Sequence, residues 1–209
     1  MAISYPRSYI NTTDFKSVTL SFQSAVAKKA SPFSYHTYVQ SHVGRRWMLD
    51  VALVPSARST ADQWISWLES LEGGLYTFLG GNPAADVAKG TAATNPGTPL
   101  VNGASQTGSS LIIDGCPTSE TGWLLAGDFV QVGTGASSEL YRVLEDVTTD
   151  GSGNATLSLN RDLLNSPSNN AAVAVSSCRG VFRLADTTVR PVLNTTTYAI
   201  QFKAIEDIS

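Results

Sequence analysis

The side chains that could do chemistry in this sequence are few and scattered. Asp150-Gly151-Ser152-Gly153-Asn154 has the oxygen-rich, glycine-interrupted look of a calcium loop. It lacks the third oxygen ligand at the right spacing and the bidentate Glu that an EF-hand loop requires. A hairpin turn, in which Gly and Asn supply positive φ, accounts for the same residues. His36 and His42 share a face by strand parity; two strand-surface histidines are the default reading and a metal pair the alternative. Cys116 and Cys178 lie far apart, neither belongs to a CxxC, and neither histidine stands near them. A tetrahedral zinc or iron–sulfur site needs about four ligands with local spacing, so none is expected. Two free buried thiols in a reducing compartment, or a disulfide, are the states left open. Asp128 follows Leu125-Ala126-Gly127 at a strand start, where a turn carboxylate is ordinary.

No GxGxxG links a strand to a helix, no GxSxG or HExxH occurs, and no local motif supports a Ser-His-Asp triad. The expectation is a chain that is not an enzyme, with no catalytic, cofactor-binding or metal-ligating residues and no cofactor.

Bulk composition narrows the partners. The 209 residues fit one or two domains, and the hydrophobic content of 42% suits a packed core. Charged residues are 15%, below the ~25% of an average soluble protein. A net charge of −3 argues against a nucleic-acid surface, which replaces counterions with clustered Lys and Arg. Lys28-Lys29 and Arg45-Arg46 are the basic clusters, each too short to carry such a surface. The polar MAISYPRSYI start has no apolar signal-peptide core, and no run approaches the ~18–20 apolar residues of a membrane span.

One segment reads as an amphipathic helix, predicted over 60–72. Ala57, Ala61, Trp64, Leu68 and Leu71 recur at three- and four-residue spacing, with Ile65 and Trp67 beside them. Thr60 and Gln63 fit a capping box. Asp62 suits the positive N-terminal dipole, and Gly73 or Gly74 a left-handed C-cap. The two tryptophans either cover the end of a β-sandwich core or anchor a subunit interface.

Around this helix the pattern is β. Val18, Leu20 and Phe22 alternate in one strand, Phe33, Tyr35, Thr37 and Val39 in a second, and Trp47, Leu49, Val51 and Leu53 in a third. A strand over 75–79 follows the helix. Residues 80–110 are rich in Gly, Ala, Asn, Thr and Pro and read as a linker or an arm lying on a neighbouring subunit, because a long structureless loop is uncommon inside a compact domain. Short strands at 111–113, 128–132, 140–147, 155–159 and 171–175 then suggest a small sandwich or barrel. The alternating strands return at 180–184 and 197–206, where Tyr198, Ile200, Phe202 and Ala204 share a face. The predicted organisation is mainly β. Residues 1–85 and 180–209 form a β-sandwich domain with one α-helix, and 96–178 a small inserted β-barrel or sandwich domain.

Several segments, taken in order, resemble a known family. They are Trp47-Met48-Leu49-Asp50, Ala61-Asp62-Gln63-Trp64 with Trp67-Leu68, and Gly74-Leu75-Tyr76-Thr77-Phe78 with Gly81-Asn82-Pro83. Leu100-Val101-Asn102-Gly103-Ala104 with Gln106-Thr107-Gly108 and Leu125-Ala126-Gly127-Asp128-Phe129-Val130-Gln131 follow. Leu140 to Leu144, Val147 to Gly153, and Gly180-Val181-Phe182-Arg183-Leu184 complete the set. Together, over roughly residues 45–207, they resemble distal tail and minor tail proteins of long-tailed (siphovirus-like) bacteriophages; the ordered set carries the likeness.

The resemblance implies a virion structural protein of the tail tip, or baseplate, forming a homo-oligomeric ring. Six copies are the usual number, with threefold symmetry as the variant. Its partners would be the tail tube protein and the hub or tip proteins. DNA would pass through the lumen without specific binding, and the chain would be made in the host cytoplasm. The family has no catalytic residues to transfer, and the four-cysteine cluster of some minor tail proteins cannot form from two cysteines. The alternative is a carbohydrate-binding β-sandwich module for host-surface attachment, with exposed Trp and Tyr as its platform. A hydrolase is a weaker third reading.

Overall fold

The computed structural model describes residues 3–194 and 196–208. Its strands, in chain order, are β1 (Phe15–Ala30), β2 (Thr37–Leu53), β3 (Phe78–Gly80), β4 (Leu100–Val101), β5 (Ser110–Asp114), β6 (Phe129–Val132), β7 (Glu139–Arg142), β8 (Ala155–Ser158), β9 (Val173–Ala174), β10 (Gly180–Leu184), β11 (Val192–Asn194), β12 (Thr197–Ala199) and β13 (Gln201–Glu206). The helix α1 (Arg58–Glu69) lies between β2 and β3. Among the described residues the fold is thus mainly β, with one α-helix and several sheets in a sandwich-like arrangement.

The main sheet is antiparallel in the order β1-β2-β13-β10-β3. Its inward face carries the predicted alternation: Trp47, Leu49, Val51 and Leu53 of β2 and Phe202 and Ala204 of β13 are buried. Alternation works here because successive side chains of a strand point to opposite faces. The C-terminal strand β13 inserts between β2 and β10, pairing Ala204 with Leu49 and with Leu184. Ile200 is buried just ahead of β13, whereas Tyr198 belongs to the separate β11–β12 hairpin. The predicted strand over 197–206 is therefore two strands.

Helix α1 covers this face with Ala61, Trp64, Trp67 and Leu68, and Leu71 follows beyond its end. The boundaries differ from the predicted 60–72. Ala57 is the N-cap and makes no side-chain capping bond, so the Thr60–Gln63 capping box does not form. Asp62 pairs instead with Arg58 at i, i+4. The helix stops at Ser70, and a short 3-10 turn at Glu72–Gly74 follows, in which Gly73 (φ +62°) and Gly74 (φ +94°) are left-handed. A side chain at Gly74 would collide with the Leu184 carbonyl, 2.7 Å from its Cβ. The predicted strand over 75–79 shrinks to β3 at 78–80, with Leu75 exposed.

The second and third predicted strands are one. β2 runs unbroken for 17 residues opposite the 16 of β1. Between the pairs Ser24–Arg45 and Val26–Ser41, β2 carries extra residues; such a bulge interrupts pairing without ending a strand. Phe33 and Tyr35 lie in the connecting turn, where Ser31 N–H donates to the His36 carbonyl and Tyr35 N–H to the Ser31 carbonyl.

Residues of the middle of the chain build two small antiparallel sheets, β4-β5-β8 and β7-β6-β9. Single bridges, Val143–Leu159 and Leu100–Ala172, tie them together at both edges. They share a core of Val101, Leu111, Ile113, Trp123, Tyr141 and Leu157 among others. The predicted strand over 140–147 ends at Arg142.

The 80–110 stretch does not extend away from the chain as the sequence suggests. Ala88 and Ala92 enter the small-sheet core, and the backbone binds its own neighbours: Ala92 N–H donates to the Trp123 carbonyl, Thr98 N–H to Gly115 and Val101 N–H to Ala171. Gly90 permits this approach, since a Cβ there would lie 2.3 Å from the Trp123 carbonyl oxygen.

Candidate interaction surface

The residues with chemical potential are not brought together. Among the described residues, no group of three or more His, Cys, Asp or Glu could hold a metal ion. His36 sits in the β1–β2 turn and His42 in β2, both exposed. Asp150 closes a hairpin turn: its Oδ1 accepts from the N–H groups of Ser152 and Asn154 and its Oδ2 from the Asn154 amide. These bonds, the Asn154 side chain first, hold its carboxyl below the usual range.

Cys116 and Cys178 are free and buried in different cores, so no disulfide joins them. Burial pushes each thiol up to about 12, which suppresses the reactive thiolate. Neither should react with iodoacetamide in the folded chain at neutral pH, and both should react on unfolding. Rapid labelling of either in the native state, read by mass spectrometry, would show its core to be open.

Asp128 is a structural carboxylate. It is buried and accepts from the Lys89 N–H through both oxygens and from the Leu125 N–H. It thereby pins the start of the 80–110 stretch to the strand entry at β6. Asp128→Ala leaves two backbone donors without acceptors, and we expect it to lower stability by about 2–4 kcal/mol. Equilibrium urea unfolding checks this, and a change within error would mean that water replaces the carboxylate.

Among the described residues, the longest unpartnered feature is the far half of the β1–β2 hairpin. β13 pairs with β2 only from Met48 to Ala52. Beyond Trp47, β2 pairs with β1 alone, back to Thr37. At ~3.3 Å per residue, the overhang is roughly 30 Å long. From Gln23 to Ala30 and from Pro32 to His42 every residue is exposed, so both faces of the ribbon are bare. Its tip and shaft carry Phe33, Tyr35 and Tyr38 at 95%, 84% and 77% exposure, with Val39 alongside. An isolated two-stranded hairpin is marginally stable in water, and clustered exposed aromatics mark interaction sites.

The arm also has its own charge. Lys28, Lys29, Arg45 and Arg46 lie on it and Lys16 on the other half of β1, all between Asp14 and Asp50 with no acidic residue among them. None of the five forms a salt bridge among the described residues. Reading the basic pairs separately conceals this; the signal in the sequence is the acid-free interval, and pairing of β1 with β2 places Lys28–Lys29 and Arg45–Arg46 on one ribbon.

By contrast, the tryptophans that could serve a glycan platform are all inside: Trp47, Trp64, Trp67 and Trp123 are at most 1% exposed. An open groove of about 500 Å3 beside the β11–β12 hairpin is lined by Asp50, Asp186, Arg190 and Lys203 with Thr187 and Thr188, and has no aromatic wall except Phe202. No helix among the described residues is long and apolar enough to cross a membrane.

A rigid junction supports the base of the arm. Arg161 donates to both carboxylate oxygens of Glu206 and to the carbonyls of Arg45 and Leu140. Trp47 donates its backbone N–H to Glu206 and its indole N–H to the Leu140 carbonyl. Arg142 stacks over Trp47 and Phe129, 5.2 and 4.6 Å from their centroids. These contacts tie β2 and β13 to β7 and to the residues after β8, so the arm leaves from a fixed base.

Compared with protein-family models and with curated proteins, the sequence matches none.

Proposed function

We propose that this chain is a non-enzymatic structural subunit of a bacteriophage tail tip, a ring component joining the tail tube to the tip or receptor-binding apparatus. Six copies around the tail axis are the expected number. The observation that carries the reading is the arm: a ribbon bare on both faces, ending in exposed aromatics, set on a rigid base. Such a ribbon would gain stability from a macromolecular neighbour. The ordered resemblance to distal tail proteins supplies the identity of the assembly, and a closed ring supplies the neighbour, because each subunit presents two different complementary patches. The tail tube and hub proteins would contact the two faces of the ring, and DNA would cross the lumen without specific recognition.

The alternative of a carbohydrate-binding module loses its tryptophans, since all four are buried, and keeps the exposed Tyr35 and Tyr38 of its expected platform. Imaging of the tail tip tests the proposal. Density for this chain as a ring at the tube–tip junction is the expected result; density elsewhere on the particle, or isolated copies on the capsid, overturns it. Retention of a monomer on a glycan column would favour the module.

A further inference from the structure

We propose that the basic aromatic arm docks onto the acidic small-sheet unit of a second copy of this chain, at the surface formed by Leu144, Glu145 and Asp146. The proposal rests on the ring reading and names the contact that would close the ring. Residues 86–178 contain nine acidic and three basic residues. Of the nine, Asp86 alone forms a salt bridge, to Arg179, among the described residues. The arm thus carries unpaired cations and the small sheets unpaired anions. An arm bound to neither within its own chain can neutralise them on a neighbour.

The Leu144–Asp146 segment suits the arm in shape as well as charge. Leu144 is 54% exposed, an apolar seat beside two carboxylates. The seat is held firmly. Leu144 N–H donates to the Ser158 carbonyl, Ser158 Oγ donates to Glu145, and Ala126 N–H donates to Asp146. An aromatic tip on an apolar residue, flanked by Lys against Glu and Asp, follows the usual arrangement of apolar centre and charged rim. Arm and seat lie on different parts of the subunit, so the contact can repeat head-to-tail, and a rotation between copies that closes makes it a ring.

Charge reversal tests this. Lys28→Glu/Lys29→Glu and Glu145→Lys/Asp146→Lys are made as separate variants of the full chain and followed by sedimentation, with thermal unfolding as the check on folding. Each alone should weaken self-association about tenfold or more, since like charges then face each other. Mixed together, the two should associate again, because each arm then meets an opposite charge on the other variant. An alternating ring of six closes, whereas one of three cannot. Because Asp146 also accepts a backbone bond, Glu145→Lys alone replaces the double variant if that variant unfolds. Phe33→Ser/Tyr35→Ser should weaken association without lowering the unfolding temperature.

Rings that persist unchanged in all variants overturn the arm contact and leave the ring reading standing. A wild-type chain that stays monomeric at the highest attainable concentration overturns both. Salt-sensitive binding of duplex DNA that is lost in Lys28→Glu/Lys29→Glu, with self-association unaffected, assigns the arm to nucleic acid and also overturns the proposal.

Discussion

Glu206→Ala should destabilise the folded chain by about 3–5 kcal/mol, the penalty for leaving one member of a buried ion pair alone. The pair is deeply enclosed: the Arg161 and Glu206 side chains are 1% and 2% exposed. Arg161 Nη1 lies 2.6 Å from Glu206 Oε2, and both nitrogens also reach main-chain carbonyls, of Arg45 and Leu140, at 3.1 Å. With the carboxylate gone, the guanidinium keeps those carbonyls but has no counter-charge. The main sheet suffers too. Ladder pairing between β2 and β13 reaches Met48, and the Glu206 carboxylate takes the next N–H, that of Trp47, at 2.9 Å. Removing it frays the sheet at the base of the arm.

The double variant Arg161→Met/Glu206→Leu separates the two effects. Apolar replacement of both partners is often neutral or stabilising, so much of the loss should return, less the share owed to the Trp47 N–H. Urea unfolding of the two variants beside wild type is the measurement. A loss under about 1 kcal/mol for Glu206→Ala, the value of an exposed pair, would show that water reaches Arg161.

Trp64→Ala should cost about 3–5 kcal/mol, the range for truncating a large buried aromatic. At about 2–4 °C per kcal/mol for a chain of this size, the unfolding temperature should fall by on the order of 10 °C. Trp64 is 1% exposed, packs edge-on against Trp67 with centroids 5.5 Å apart, and lies 5.6 Å from Phe15. Its indole N–H donates to Asp14 Oδ2 at 2.8 Å, tying α1 to the start of β1. Alanine leaves a cavity and removes this link. Trp64→Phe refills most of the volume and should cost about 1–2 kcal/mol, mainly the lost hydrogen bond. Equal stability of Trp64→Ala and wild type would mean that the helix does not use this residue to hold the sheet.

Both helix tryptophans serve their own core, which decides between the two readings open to them from sequence. The periodic stripe made their burial legible, because three- and four-residue spacing puts Ala61, Trp64, Leu68 and Leu71 on one side of a helix whatever surrounds it. The helix ends were not legible. Thr60 and Gln63 have the right types for a capping box, yet the backbone is already helical at Arg58. Asp62, read as a partner for the helix dipole, forms an i, i+4 pair with Arg58.

The candidate interaction surface was the least legible part. Phe33, Tyr35, Thr37 and Val39 alternate as a half-buried strand would, yet all four are exposed. Period two records which residues share a face of a strand; it does not record whether anything lies against that face. The opposite error occurred at 80–110. Its composition reads as a free segment, but small residues let the backbone lie close to other backbone, and hydrogen bonds hold it together with the buried side chains of Ala88, Ala92 and Val101.

What the sequence alone determined is local: the strand faces at Trp47–Leu53 and Phe202–Ala204, the helical stripe, and the presence, though not the bounds, of short strands within residues 110–184. Each depends on a repeat that a few neighbouring residues carry. Tertiary structure decided what depends on distant partners. It placed β13 between β2 and β10, matched Arg161 to Glu206, buried Asp128 against Lys89 and Leu125, and left the far half of β1–β2 without a covering strand. These are long-range matters because a hydrogen-bond partner, a counter-ion or an uncovered face is a property of the packed whole, and no window of sequence contains it.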